Sequence, residues 1–168
     1  MNSKIIQKPD YADYNLDLEK NKLIDFLKLN RLAISSDFIN QIEIGDIIEV
    51  YSFPENMQIY SNSEFKKLCS YTDTQMREIP FPQLFWRDQD VHLNLMKRAA
   101  EICQLDKKNF KWDLINHELV ESLHPKKRTF EMNMKNITPC FTEVDASVKA
   151  WASTLQVDFI FEWENPII

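Results

Sequence analysis

MQIYSNSEFKKLCSYTDTQM, residues 57–76, is the stretch whose reading decides the fold of this chain. Met57–Ser61 alternates in the manner of a short strand and runs into Asn62. An asparagine at a strand end can hydrogen-bond its local backbone and tolerate the turn that follows. Ser63–Ser70 then reads as a short amphipathic helix with Phe65 and Leu68, three apart, on one face. Tyr71-Thr72 breaks that helix, and Asp73 opens another that runs to Glu78. A strand that leads directly into a cluster of short helices is an unusual local order, and the rest of the chain is read outward from it.

Upstream, the pattern from Asp46 has period two. Ile48, Val50 and Ser52 alternate with Ile47, Glu49 and Tyr51, which predicts a strand. Pro54-Glu55-Asn56 turns the chain, so this strand and Met57–Ser61 form a hairpin. Before it, Leu16–Ala33 is helical: Leu16, Leu23, Phe26, Leu27 and Leu32 keep to one face, with Glu19, Lys20, Lys22 and Lys28 outside. Ser35-Ser36-Asp37 caps a shorter helix through Ile42, and Gly45, the single glycine, ends that segment. Met1–Asn15 is polar and mixed, ordered only if it docks.

Downstream, Pro80 and Pro82 break the pattern before Leu84-Phe85-Trp86. Asp88 or Asp90 caps a longer helix to about Gln104, with Val91, Leu95, Ala99 and Ile102 or Cys103 on one face. The remainder reads as strands. Phe110, Trp112 and Leu114 alternate, His124–Lys127 turns, and Phe130, Met132 and Met134 alternate with Glu131, Asn133 and Lys135. Pro139 ends or kinks that strand. Ser147–Trp163 is long for one strand, which predicts a bulge or two strands. The order gives an α+β fold with an antiparallel sheet. Two regions follow: a helical extension over residues 1–45 and a sheet-bearing domain over 46–168.

Composition limits the function classes. An apolar share of 44% in 168 residues supports a real core. A net charge of −6 argues against nucleic-acid binding by this segment, and Lys126-Lys127-Arg128 is the one tight basic run. One glycine in the whole chain excludes glycine-rich phosphate loops. Cys69, Cys103 and Cys140 have no paired spacing, which predicts reduced thiols in a cytoplasmic protein. No apolar run approaches the roughly 20 residues that cross a bilayer, so no membrane contact is expected.

Asn62, Phe65, Leu68, Tyr71, Thr72 and Asp73, with the order of elements around them, resemble the opening of a PAS sensor domain. Ser70 stands where that family usually has glycine, and the His124–Lys127 turn stands where it often has Asp-Gly. The resemblance covers about Asp46 to Trp163. It implies a five-stranded antiparallel sheet flanked by short helices, with a ligand pocket between them. It also implies a regulatory function: sensing of a small molecule or dimerisation, upstream of an output module outside this chain. A bacterial transcription regulator with a helix-turn-helix output is the first expectation, and a homodimer is the expected assembly. The alternative is a cone-shaped α+β protein of the nuclear-transport-factor-like class, an enzyme or binding protein whose helices come first and whose long curved strands come last. The hairpin followed at once by short helices favours the PAS reading.

Candidate site residues follow from this frame. Phe85, Trp86, His92, Met96, Trp112, Met132, Met134 and Trp151 are the expected lining of a pocket for a small apolar or aromatic ligand, since Met and aromatic side chains suit adaptable cavities. The same residues can equally fill the core. Haem-binding members carry a histidine on the long helix, which His92 matches; a histidine in the first turn beside Asp88 and Asp90 is otherwise an exposed residue, and that is the expectation here. The Ile79–Trp86 region lacks the cysteine of flavin photosensors, so flavin is not expected. His117 and His124 have no partner at zinc-ligand spacing. No paired carboxylates or nucleophile–base arrangement stands out, and no enzyme activity is predicted.

Overall fold

A computed structural model describes residues 4–104, 110–123 and 128–163. Its spine is a pair of long antiparallel strands, β7 (Thr129–Thr142) and β8 (Val148–Trp163). On one flank of β8 lies β3 (Ile47–Ser52), which pairs outward with β4 (Gln58–Ser61). On the far flank of β7 lies β6 (Phe110–Glu121), followed by a short edge strand, β5 (Phe85–Arg87). The order β4-β3-β8-β7-β6-β5 forms one curled antiparallel sheet. Two more short strands join it: β1 (Lys4–Gln7) pairs with the end of β8, and β2 (Leu32–Ala33) pairs with the end of β7.

The α+β class and the antiparallel sheet stand as the sequence predicts. The strand count differs: among the described residues eight strands pair where five are predicted. The additions are short and lie at the ends of the sheet. Nor is there a separate helical extension. β1 docks on β8, and α1 (Leu16–Leu29) and α2 (Ser36–Asn40) pack on the sheet. Helix α1 starts at Asn15, whose side chain accepts from the Leu18 amide at 3.1 Å. It stops at Asn30, and Arg31 turns with φ 54° into β2, so the predicted helix to Ala33 ends one turn early.

Helices cover both faces of the sheet. On the outer face, Leu23 and Leu27 of α1 and Phe38 of α2 pack against Ile48, Val50, Cys140, Ala150 and Ala152. The two alanines let the helices approach closely, and each buried leucine contributes about 1.5–3 kcal/mol. Glu19, predicted outside, is buried on this helix, and its Oε2 lacks a hydrogen-bond partner. The inner, concave face is covered by α3 (Glu64–Leu68), α4 (Asp73–Glu78), α5 (Phe81–Leu84) and α6 (Gln89–Gln104). Leu95, Ala99, Ile102 and Cys103 of α6 are buried, the face the sequence predicts. Pro80 and Pro82 do not break structure here. They set the start of α5, where the missing N–H groups have no helical partner to lose.

Three register shifts interrupt the β7–β8 ladder, between Glu131 and Met132, Met134 and Asn136, and Cys140 and Phe141. They are the bulges expected of such long strands, and they bend the sheet. β7 continues through Pro139, opposite Trp151. Among the described residues no helix is long and apolar enough to cross a membrane. The His124–Lys127 turn, with Lys126 and Lys127 of the basic run, lies outside the described residues; Arg128 pairs with Glu162 at 2.6 Å.

Candidate functional site

The strand-to-helix corner of residues 57–76 is built as its residues dictate. Buried Asn62 accepts from the Ile48 amide at 3.1 Å and donates to the Asp46 carbonyl at 2.9 Å, so its side chain extends the β3–β4 pairing past the last strand residue. Phe65 meets Phe85 and Phe130, each with ring centroids 5.4 Å apart, and Leu68 packs on the same core. Tyr71 donates to the Leu84 carbonyl at 2.6 Å and accepts from the Leu123 amide at 3.0 Å. Thr72 and Gln75 close a capping box on α4. Ser70 is not among the residues with positive φ, so its backbone does not require the family's glycine. Its amide donates to buried Glu121 at 2.6 Å.

The predicted pocket residues divide. Phe85, Met132, Met134 and Trp151 are buried together in the inner core, with Met96 half-buried against them. They fill space with one another and with Leu84, Leu95, Ala99, Leu119 and Phe130. Trp86 is 56% exposed on the outer side of the edge strand. His92 is exposed in the first turn of α6, its amide bonded to the Asp88 carbonyl at 3.0 Å. That exposure is what a helix-start histidine shows, not the enclosure of a haem axial ligand. The Asp88 carboxylate caps the helix through the Asp90 and Val91 amides. The Trp112 side chain lies outside what the structure describes.

A polar recess emerges instead on the inner face, from residues the sequence does not flag. On β3, Ile47, Glu49 and Tyr51 share the inner face, and directly opposite on β8 stand Leu155, Ser153 and Trp151. The Tyr51 and Trp151 rings stack, centroids 4.6 Å apart and 19° from parallel. Trp151 Nε1 donates to Asn56 at 2.9 Å, and Asn56, with φ 58°, takes the left-handed turn conformation that asparagine tolerates. Tyr51 donates to Glu49 Oε2 at 2.6 Å, and Gln58 of β4 donates to the same oxygen. The curl of the sheet brings Arg87 of β5, from the opposite end of the strand order, within electrostatic reach of Glu49 and Tyr51. Its guanidinium lies 5.6 Å from the Phe81 ring centroid.

The electrostatics of this recess are dominated by loss of water. Burial raises the Glu49 carboxyl above its ordinary value, against the opposing pull of the Tyr51 bond, the Arg87 charge and the Gln58 bond. Burial, then the Glu49 charge, raises the Tyr51 phenol. Burial lowers Arg87. Yet Glu49, Tyr51 and Arg87 are each only half-buried, so these polar side chains keep part of their surface in solvent at the edge of the core. Two atoms here are buried without a hydrogen-bond partner, Arg87 Nε and Ser153 Oγ. An orphaned buried polar atom costs about 1–3 kcal/mol, and its survival needs a reason.

Other candidates fare less well. A surface cleft of about 300 Å³ is lined by Lys8, Tyr14, Glu64, Lys67, Arg128 and Ile160, among others. Two of its cations already have partners, Lys67 with Glu64 at 3.8 Å and Arg128 with Glu162 at 2.6 Å. Burial pushes the Cys103 thiol up to about 11 and the Cys140 thiol up to about 12. Both stay protonated at neutral pH and are poor nucleophiles.

Period two in β3 was enough to place Glu49 and Tyr51 on the face opposite Ile48 and Val50, but nothing local says that face turns inward under helices. The comparisons add no relative: no family model, no curated protein and no solved structure matches this chain.

Proposed function

We propose that this chain is a PAS-like sensory domain that binds a small molecule on the concave face of its sheet and controls an output module. The observation that carries the reading is the Glu49–Tyr51–Arg87–Ser153 recess, where buried polar atoms retain unused hydrogen-bonding capacity under a helical cover. The order of elements supports it: a hairpin, short helices, a longer helix and three long strands, with hairpin and strands joined in one sheet. β1, β2 and β5 are then additions around that five-stranded arrangement. The ligand differs from the apolar one the sequence suggests, because the spare capacity is polar. A homodimer remains part of the proposal. Helix α1 already covers the outer sheet face, so a second subunit would dock elsewhere. A transcriptional output rests on the family resemblance alone.

Polar groups on a concave face also suit the cone-shaped alternative. Against it, the long first helix packs on Ile48, Val50, Ala150 and Ala152, the side of the sheet away from Glu49 and Trp151.

The test is native mass spectrometry of gently purified protein, joined to a thermal-shift survey of metabolites. The expected result is a retained or stabilising small molecule, lost in Arg87→Met. The bare chain mass together with no thermal shift from any compound overturns the reading.

A further inference from the structure

The recess is unusual in what it pairs. A carboxylate and a guanidinium, both partly stripped of water, lie within electrostatic reach of one another on the inner face, yet no ion pair within 4.0 Å joins Glu49 to Arg87. Tyr51 and Gln58 both donate to Glu49 Oε2, so among the described residues Oε1 is the free acceptor. Arg87 keeps one face on Phe81 and has a buried, unpartnered Nε. Ser153, directly across from Glu49, offers a hydroxyl that can donate or accept. The stacked Tyr51 and Trp151 rings form an apolar wall beside these groups.

The sign of the charges selects the ligand. A lone anion on Arg87 would sit beside the Glu49 carboxylate, and a lone cation on Glu49 would sit beside the Arg87 guanidinium. Each leaves an uncompensated charge in a poorly solvated site, which is costly. A neutral ligand leaves the two charges to compensate one another only at a distance, with no charge-assisted bond to either. A molecule with an anionic and a cationic group a few bonds apart satisfies both at once. Resting on the sensor reading above, we infer that the ligand is a small zwitterion of the amino-carboxylate class with an apolar side chain. Its carboxylate meets Arg87, its ammonium meets Glu49 Oε1, and its side chain lies against Tyr51 and Trp151.

The test is isothermal titration of the whole chain with two matched series: leucine, 4-methylpentanoate and 3-methylbutylamine, then phenylalanine, 3-phenylpropanoate and 2-phenylethylamine. The expected result is that in at least one series the amino acid binds at least about tenfold more tightly than either analogue, the size of one lost charge-assisted hydrogen bond. Glu49→Gln narrows the gap between the amino acid and the carboxylate-only analogue. Arg87→Met narrows the gap to the amine-only analogue, and Arg87→Lys restores part of it. Circular dichroism of each variant separates lost binding from lost fold. An analogue that binds as well as its amino acid overturns the zwitterion assignment and leaves the sensor reading standing. So does a native-mass ligand that lacks one of the two charges. Absence of any retained or stabilising ligand overturns both.

Discussion

Glu49 and Ser153 stand directly opposite one another on β3 and β8, and the Ser153 hydroxyl is 1% exposed residue surface with no hydrogen-bond partner. The pair sits between two rows that are fully apolar or aromatic, Ile47 with Leu155 and Tyr51 with Trp151. A polar row inserted into a core face is destabilising unless it is used, and the use proposed for it is binding.

Ser153→Ala tests that cost directly. Removing a buried, unpartnered hydroxyl leaves stability unchanged or raises it by up to about 1 kcal/mol, since no bond is lost and a desolvation penalty is removed. The denaturant midpoint measures this. A loss of more than about 1 kcal/mol would mean that the hydroxyl has a partner in the folded chain.

The Glu49 carboxyl gives a pH signature. Unfolded, it takes its ordinary value of 4.5; folded, burial raises it. Between those values the folded chain holds a proton that the unfolded chain releases, so stability falls as pH rises from 4.5 through the folded value. Glu49→Gln removes this share, because glutamine does not titrate. Urea midpoints from about pH 4 to pH 7 are expected to fall less steeply in Glu49→Gln than in the parent chain. Parallel slopes would show that Glu49 does not carry a raised value.

Local chemistry was the legible part of this sequence. Asn62, Phe65, Leu68 and Tyr71 stand out by residue type and spacing, but their partners do not: Asn62 bonds Ile48 and Asp46 across the hairpin, and Tyr71 bonds Leu84 and Leu123. β1, β2 and β5 were not legible, because strands of 4, 2 and 3 residues are too short to show a period. Missing β5 had a cost for the site. Phe85 inward, Trp86 outward and Arg87 inward is strand alternation, but Pro80 and Pro82 just before it read as a break. Aromatic type alone singles out Trp86 as a ligand residue, and nothing local singles out Arg87. The Glu49–Ser153 and Glu49–Arg87 relationships depend on pairing across most of the chain and on the curl of the sheet, and neither is encoded in a local pattern.

Asn62 tests the corner that holds the hairpin. Asn62→Ala removes the acceptor for the Ile48 amide and the donor to the Asp46 carbonyl. The carbonyl keeps the Tyr14 hydroxyl at 2.8 Å, but the amide is left buried and unpaired. The expected loss is about 2–3 kcal/mol. Asn62→Asp is expected to lose at least as much, because its second oxygen faces the Asp46 carbonyl with no donor and its charge is buried. Chemical denaturation of both variants measures this, and a loss below about 1 kcal/mol in Asn62→Ala would mean that the Ile48 amide finds another partner.

Gly45 and Tyr11 give the last prediction, and it separates two causes at one position. Gly45 has φ 92°, and a Cβ built there would lie 2.7 Å from the Tyr11 ring. Gly45→Ala therefore meets both a backbone penalty of about 1–3 kcal/mol and a steric clash. The ring cannot simply swing away, because its hydroxyl donates to the Val157 carbonyl at 2.9 Å and so ties the N-terminal segment to β8. Tyr11→Ala alone removes that tie and the ring contact. In Tyr11→Ala the further change Gly45→Ala no longer meets the ring, so only the backbone share of its cost remains. The double-mutant cycle is expected to show coupling between the two positions of at least about 1 kcal/mol, read from denaturation midpoints. Strict additivity would mean that the ring and the glycine do not meet, and would leave the positive φ as the whole reason for glycine at position 45.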